Sequence, residues 1–240
     1  MADSSDIVYF HPDYSDLDAS VQTMIFNPDQ LKQAGWVTRE LEGRGTTYFF
    51  RLKDRPVVLR HYWRGGAMKN LSKDAYLWLG LARTRSFKEW KLLQEMESLG
   101  LPTPRPVALR IRRSGLFYRS DIVTEELEGV ESLARILQQR PATTEEWQLV
   151  GKTIGQFHEQ QVHHADLNAN NILLKEGACY WIDFDRGCIR GGDGWKESVI
   201  ARLRRSLEKL RGKHDPFYFS DEGWKQMLER YSDHLSASMR

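Results

Sequence analysis

The order of patterned segments along the chain predicts an α+β protein in two lobes, strand-rich first and mainly helical second. Two observations carry this. Between Val37 and Thr124 short β-branched and aromatic runs alternate with Gly and Pro turns. Beyond Glu125 the apolar residues fall at three-to-four spacing, the mark of amphipathic helices. The expected boundaries are 1–124 and 125–240, with a hinge near 124–130, together forming one domain around a cleft.

The elements follow in order. Strands are expected at Trp36–Leu41, Thr46–Leu52 and Val57–Arg60, separated by Gly43-Arg44-Gly45 and by Lys53–Pro56. After a Gly65-Gly66 break, Phe87, Trp90, Leu93, Met96 and Leu99 mark a helix that Gly100 and three nearby prolines end. Val107–Ile111 and Leu116–Thr124 form a hairpin around Ser114-Gly115. Thr143-x-x-Glu146 is a capping box opening a helix with the stripe Trp147, Val150, Ile154 and Phe157. Strands Ile172–Leu174 and Cys179–Ile182 flank Gly177. Residues 1–30 are weakly patterned and receive no role.

Composition sets bounds. A chain of 240 residues with 40% hydrophobic and 28% charged content is ordinary globular protein. Its net charge of +2 is too small for wholesale nucleic-acid binding. Cys179 and Cys188 lack CxxC or zinc-ligand spacing, so a reduced compartment is expected. The amino terminus has no apolar signal-peptide core, and no run approaches a membrane span.

The chemistry lies in His164-Ala-Asp-Leu-Asn-Ala-Asn-Asn171 and Trp181-Ile-Asp-Phe-Asp185. Transfer of a phosphoryl group to a hydroxyl needs a carboxylate to accept the proton, and oxygen donors to hold Mg²⁺ on ATP. Asp166 and Asn171 have the spacing of the kinase catalytic loop, and Asp183 stands where its second metal-binding carboxylate follows. Asp166 is thus the candidate base and Asn171 and Asp183 the candidate Mg²⁺ ligands, within a bilobal protein-kinase-like fold with a shortened second lobe. His164 is expected to brace the loop.

Weaker signals complete the candidate site. Gly43 and Gly45, with Arg44 between them, could bring backbone amides to a phosphate; alone such a pair reads as a plain hairpin turn, and the downstream motifs favour the phosphate reading here. Val57-Val-Leu-Arg60 occupies the place of the kinase Val-Ala-Ile-Lys strand, with arginine for lysine. Glu89 is its expected partner, Glu95 the fallback. His158 and His163 are five apart rather than the four a helical zinc pair needs, which argues against a metallohydrolase. Lys196–Lys213 carries seven basic and two acidic residues around the apolar stripe Val199, Leu203, Leu207 and Leu210. It is read as a basic carboxy-terminal helix, either simply solvated or facing anionic headgroups or an acidic substrate. The nearby Trp195, Phe217, Tyr218, Phe219 and Trp224 could enter an interface or fill a core.

Together His164–Leu174, Ile182-Asp-Phe-Asp-Arg-Gly187 and Arg60-His-Tyr-Trp-Arg-Gly-Gly66 resemble the Kdo (deoxy-manno-octulosonic acid) kinases, of the lipopolysaccharide-kinase branch of the protein-kinase-like superfamily. The resemblance runs from about Gly35 to Leu210. It implies ATP-dependent phosphorylation of the 4-hydroxyl of a Kdo residue on a lipid A precursor. It also implies work at the cytoplasmic face of the bacterial inner membrane, where peripheral contact is expected, while no nucleic-acid partner and no required protein partner are expected from the sequence. With few residues after Asp183 and no Ala-Pro-Glu sequence, a full protein-kinase activation segment is not expected, and a non-protein acceptor is. Arg64 and Arg186 are candidate readers of an acidic sugar. The rival expectations are an aminoglycoside- or choline-type kinase, a catalytically silent nucleotide-binding module, and a basic membrane adaptor.

Overall fold

The computed structural model describes residues 4–43, 45–63 and 74–238. Arg44, Arg64 and the Gly65-Gly66 break named above lie outside the described residues. The chain divides into two compact units, residues 1–91 with 105–128, and residues 92–104 with 129–240.

The first unit is built on an antiparallel sheet. Its elements are β1 (Ser4–Phe10), α1 (Ala19–Met24), α2 (Pro28–Gln33), β2 (Val37–Leu41), β3 (Thr47–Leu52), β4 (Arg55–His61), β5 (Tyr76–Leu77), the start of α3 (Arg85–Ser98), β6 (Pro106–Ser114) and β7 (Phe117–Glu125). The sheet order is β1-β6-β7-β4-β3-β2, with β5 also paired to β7. The predicted meander and hairpin are present. Strand β1 and the two helices after it were not expected from the sequence. β1 pairs with β6 from Ser4↔Ser114 to Phe10↔Ala108.

The leading segment has a packing role. Asn27 caps α2 by accepting from the amides of Asp29 and Gln30, and Pro28 pre-sets the first helical turn. This fixes Ile25, Phe26 and Leu31 over Phe50, Leu52, Val57 and Leu59. Strand alternation therefore sends Val57 and Leu59 into this core and leaves Arg60 to the other face of β4.

The second unit contains β8 (Glu131–Ser132), α4 (Leu133–Gln139), α5 (Thr144–Glu159), β9 (Val162–His163), β10 (Ile172–Lys175), β11 (Ala178–Trp181), β12 (Cys188–Ile189), α6 (Lys196–Arg211) and α7 (Asp221–Ser238). The capping box forms: the Glu146 amide donates to Thr143 Oγ1 at 3.2 Å, and the Thr143 amide to Glu146 Oε2 at 2.8 Å. Trp147, Val150, Ile154 and Phe157 are all buried, as their spacing predicts. Phe157 stacks on Trp181 with ring centroids 4.3 Å apart and planes almost parallel.

Glycines on the same helix let α7 approach closely. A Cβ at Gly151 would lie 2.2 Å from the Met227 carbonyl oxygen, and one at Gly155 would lie 2.6 Å from the His234 ring. The basic segment is a helix, α6, but it is not the last one. α7 follows it, and its Trp224 and Met227 fill the core. Trp195 and Phe219 are buried too, so three of the five aromatics near α6 are core residues, while Tyr218 is exposed. Among the described residues no helix is long and apolar enough to cross a membrane.

Candidate active site

The loop between β9 and β10 carries Asp166 and Asn171, and its shape follows from its own polar side chains. The β9–β12 pair holds one end, with His163 opposite Cys188, and the β10–β11 hairpin holds the other. Within the loop the Asp166 carbonyl accepts from Asn168 Nδ2 at 2.9 Å and from Asn171 Nδ2 at 3.0 Å. Asn168 Oδ1 in turn accepts from the Asn170 amide. The asparagines therefore close the turn locally, which is what short amide side chains do well.

His164 is buried and braces the loop. Its Nδ1 accepts from the Asp166 amide at 3.1 Å, so the proton sits on Nε2 and is donated to the Ile182 carbonyl at 2.9 Å. The Ile182 amide returns a bond to the Asn171 carbonyl at 3.1 Å. These bonds tie the Asp166 loop to the residue that immediately precedes Asp183. Phe184, also buried, packs on the His164 ring at 4.7 Å and on Phe157 at 5.7 Å.

The three candidates differ in setting. The Asp166 side chain is 53% exposed, while Asn171 is buried with its amide nitrogen committed to the loop backbone. That commitment leaves Oδ1, the hard oxygen, as the atom with which Asn171 could bind a cation. Asp183 is exposed and has φ +65°, a left-handed conformation that costs a non-glycine residue about 1–3 kcal/mol. Such a conformation persists where the surrounding structure fixes it, here the Ile182 bonds on one side and buried Phe184 on the other. Among the described residues no three His, Cys, Asp or Glu side chains form a metal cage. An amide and a carboxylate suit a Mg²⁺ ion that keeps waters and takes its other oxygens from ATP.

Asp166 has a partner that sequence reasoning missed. Arg202, on α6, reaches its Oδ1 through Nε at 2.9 Å and also through Nη2. One turn on, Ser206 Oγ accepts from the Ala169 amide at 3.2 Å. The Ala134 amide at the start of α4 donates to the Ala169 carbonyl at 3.0 Å. Two helices thus clamp the loop. Nothing in the local sequence shows that a residue 36 positions away meets Asp166.

In the first unit, Arg60 meets the expected glutamate. Its Nη2 lies 2.6 Å from Glu89 Oε1 on α3, and the Tyr62 hydroxyl donates to Oε2 at 2.5 Å. The Glu89 side chain is 1% exposed and that of Arg60 30%. Tyr62 was not anticipated, although it lies just past the end of β4, two residues after Arg60, where the strand's alternation continues to the same side. Gly43 and Gly45 sit in the β2–β3 turn. A Cβ at Gly45 would fall 1.7 Å from Trp63 Nε1, so close packing against the indole requires glycine there.

Titration and burial separate other groups from the chemistry. Burial, helped by Lys196 and His163, pushes His158 down to about 3, and its Nδ1 shares a hydrogen bond with the Tyr231 hydroxyl at 2.9 Å. Burial pushes the Cys179 thiol up to about 12, while Cys188 is exposed and unpaired by any disulfide.

A family model described as lipopolysaccharide kinase (Kdo/WaaP) matches residues 29–231. A 3-deoxy-D-manno-octulosonic acid kinase of Haemophilus influenzae is 39% identical over 218 residues, covering 87% of this chain and 90% of the relative. Proteins of the same name from Vibrio cholerae and Actinobacillus succinogenes are 40% and 37% identical, covering 76% and 88% of the chain and 78% and 91% of their own lengths. A solved structure titled WaaP in complex with acyl carrier protein superposes with a TM-score of 0.56 at 22% identity, covering 90% of this chain and 88% of that one. At that identity the likeness is one of fold.

Proposed function

The chain belongs to the lipopolysaccharide kinase (Kdo/WaaP) family, and we propose that it transfers the γ-phosphoryl group of ATP to the 4-hydroxyl of a Kdo residue on a lipid A precursor. The observation that carries the reading is the loop in which His164 and Asn171 clip Asp166 to Ile182, beside Asp183. A carboxylate so held, and still open to solvent, can receive the proton of an attacking hydroxyl.

Each residue then has a role. Asp166 orients the acceptor hydroxyl and takes its proton. Asn171 Oδ1 and the Asp183 carboxylate would hold Mg²⁺, which neutralises charge on the phosphates when bound. Arg60, held by Glu89, and the glycines Gly43 and Gly45 would steady the nucleotide phosphates. Most of the catalytic effect is positioning, since phosphoryl transfer asks little covalent chemistry of the protein. The same reading places the enzyme peripherally at the cytoplasmic face of the inner membrane, where such a lipid is made. The exposed cations of α6 suit that surface.

The test offers γ-labelled ATP and Mg²⁺ with Kdo-bearing lipid A precursor, an aminoglycoside mixture and a generic protein, with and without acyl carrier protein. Label on the Kdo lipid alone, independent of the added protein, is expected. Label on aminoglycosides, or none on any acceptor while ATP binds, would overturn the proposal in favour of a rival kinase or a silent module.

A further inference from the structure

We infer that Arg202 reads the acceptor's carboxylate, so that one side chain both steadies Asp166 and selects an acidic sugar. The inference rests on the Kdo-kinase reading and goes beyond it by naming the residue that recognises the acid.

The geometry of the pair is the first reason. An arginine–carboxylate pair built for its own strength places two N–H groups on two oxygens, side by side. Here Nε and Nη2 of Arg202 converge on Oδ1 of Asp166. Among the described residues neither Oδ2 of Asp166 nor Nη1 of Arg202 has a hydrogen-bond partner. Both side chains are about half exposed, 53% for Asp166 and 46% for Arg202. A base with one oxygen held and the other open stands next to a guanidinium with donors to spare.

The second reason is that Arg202 is fixed in place. Val199, Leu203 and Leu207 of α6 are buried, and Ser206, one turn after Arg202, accepts from the loop at Ala169. Arg202 and Ser206 share the loop-facing side of the helix. Its neighbours Arg204 and Arg211 pair elsewhere, with Asp221 and Glu208. Within this cationic helix, Arg202 is the member that reaches the base.

The acceptor's chemistry completes the argument. In a 3-deoxy-octulosonic acid a single methylene separates the carbon bearing the carboxylate from the carbon bearing the 4-hydroxyl. A sugar whose 4-hydroxyl donates to Oδ2 of Asp166 thus has its carboxylate close enough, on the same edge of the ring, to meet Arg202. Guanidinium and carboxylate match in charge and in planar geometry.

The experiment compares the Kdo acceptor with its carboxyl methyl ester, in wild type, Arg202→Gln and Arg202→Lys. Wild type is expected to prefer the acid by roughly tenfold to a hundredfold in kcat/KM, the worth of a charge-assisted contact. Arg202→Gln should bring that preference close to unity, raising KM for the acid with KM for ATP unchanged. Arg202→Lys should keep part of it, since lysine retains the charge but not the fork. A wild type indifferent to the ester, or an acid preference that survives in Arg202→Gln, would overturn the inference and leave Arg202 as a brace for Asp166 alone. No transfer to either Kdo acceptor by wild type, with turnover on another class, would remove the acceptor assignment and the inference together.

Discussion

Removing Glu89 is the sharpest perturbation of the first unit. Its carboxylate is almost wholly buried and accepts from the Arg60 guanidinium and the Tyr62 hydroxyl, one on each oxygen. Glu89→Ala leaves both donors without that partner. Breaking a fully buried pair costs about 3–5 kcal/mol. Arg60 is 30% exposed and can partly rehydrate, so roughly 2–4 kcal/mol is expected. A thermal midpoint lower by about 5–10 °C corresponds to that loss in a chain of this size. The decisive assay is a cycle of Arg60→Ala, Glu89→Ala and the double variant in urea, with KM for ATP measured on each. A coupling energy of about 1.5–3 kcal/mol is expected, above the 0.2–1 kcal/mol of an exposed pair. If Arg60 steadies the phosphates as proposed, KM for ATP should rise roughly tenfold or more in either single variant, since the guanidinium is then absent or no longer held in register. Coupling below about 0.5 kcal/mol, together with an unchanged KM, would refute the reasoning.

Three further outcomes are expected. Gly151→Ala should destabilise by roughly 1–3 kcal/mol in spite of alanine's helix preference, because the new methyl meets the Met227 carbonyl; calorimetry checks this. His158 is neutral in the fold, at about 3, and titrates near 6.5 when unfolded, so the unfolded chain binds the extra proton as pH falls between these values. Its contribution is therefore present above about pH 6.5 and is lost on acidification, by roughly 2 kcal/mol at pH 5; His158→Gln should flatten the stability profile by that amount. A thiol reagent should modify Cys188 quickly in the native protein and Cys179 only after unfolding, and two fast thiols would contradict the burial of Cys179.

What the sequence revealed depended on the range over which each feature is specified. The capping box at Thr143 and the α5 stripe are local patterns with local physical causes, and they form as read, while Asp166 and Asn171 are joined by a hydrogen bond within one loop. The choice of Glu89 over Glu95 followed the position of a glutamate in the first half of α3, and Arg60 meets it. Strand β1 escaped notice because its pairing partner, β6, lies a hundred residues downstream, and Ile7–Phe10 is too short a run to declare itself. Helix α7 was missed because charged residues dilute its stripe, although Trp224, Met227 and Tyr231 recur at helical spacing. The Arg202–Asp166 and Tyr62–Glu89 contacts arise only when elements pack. Gly45 carries a second constraint that the sequence did not display. A glycine read as making room for phosphate also has a steric reason in the Trp63 indole.

The central claim, that Asp166 is the base of a phosphoryl transfer to Kdo, meets its most direct test in single-turnover transfer by Asp166→Asn. The substitution keeps the side chain's size while removing its ability to accept the proton. The account predicts a rate on Kdo-bearing lipid lower by roughly 10²–10⁴, with ATP affinity within about twofold of wild type. Transfer at a near-normal rate would contradict it.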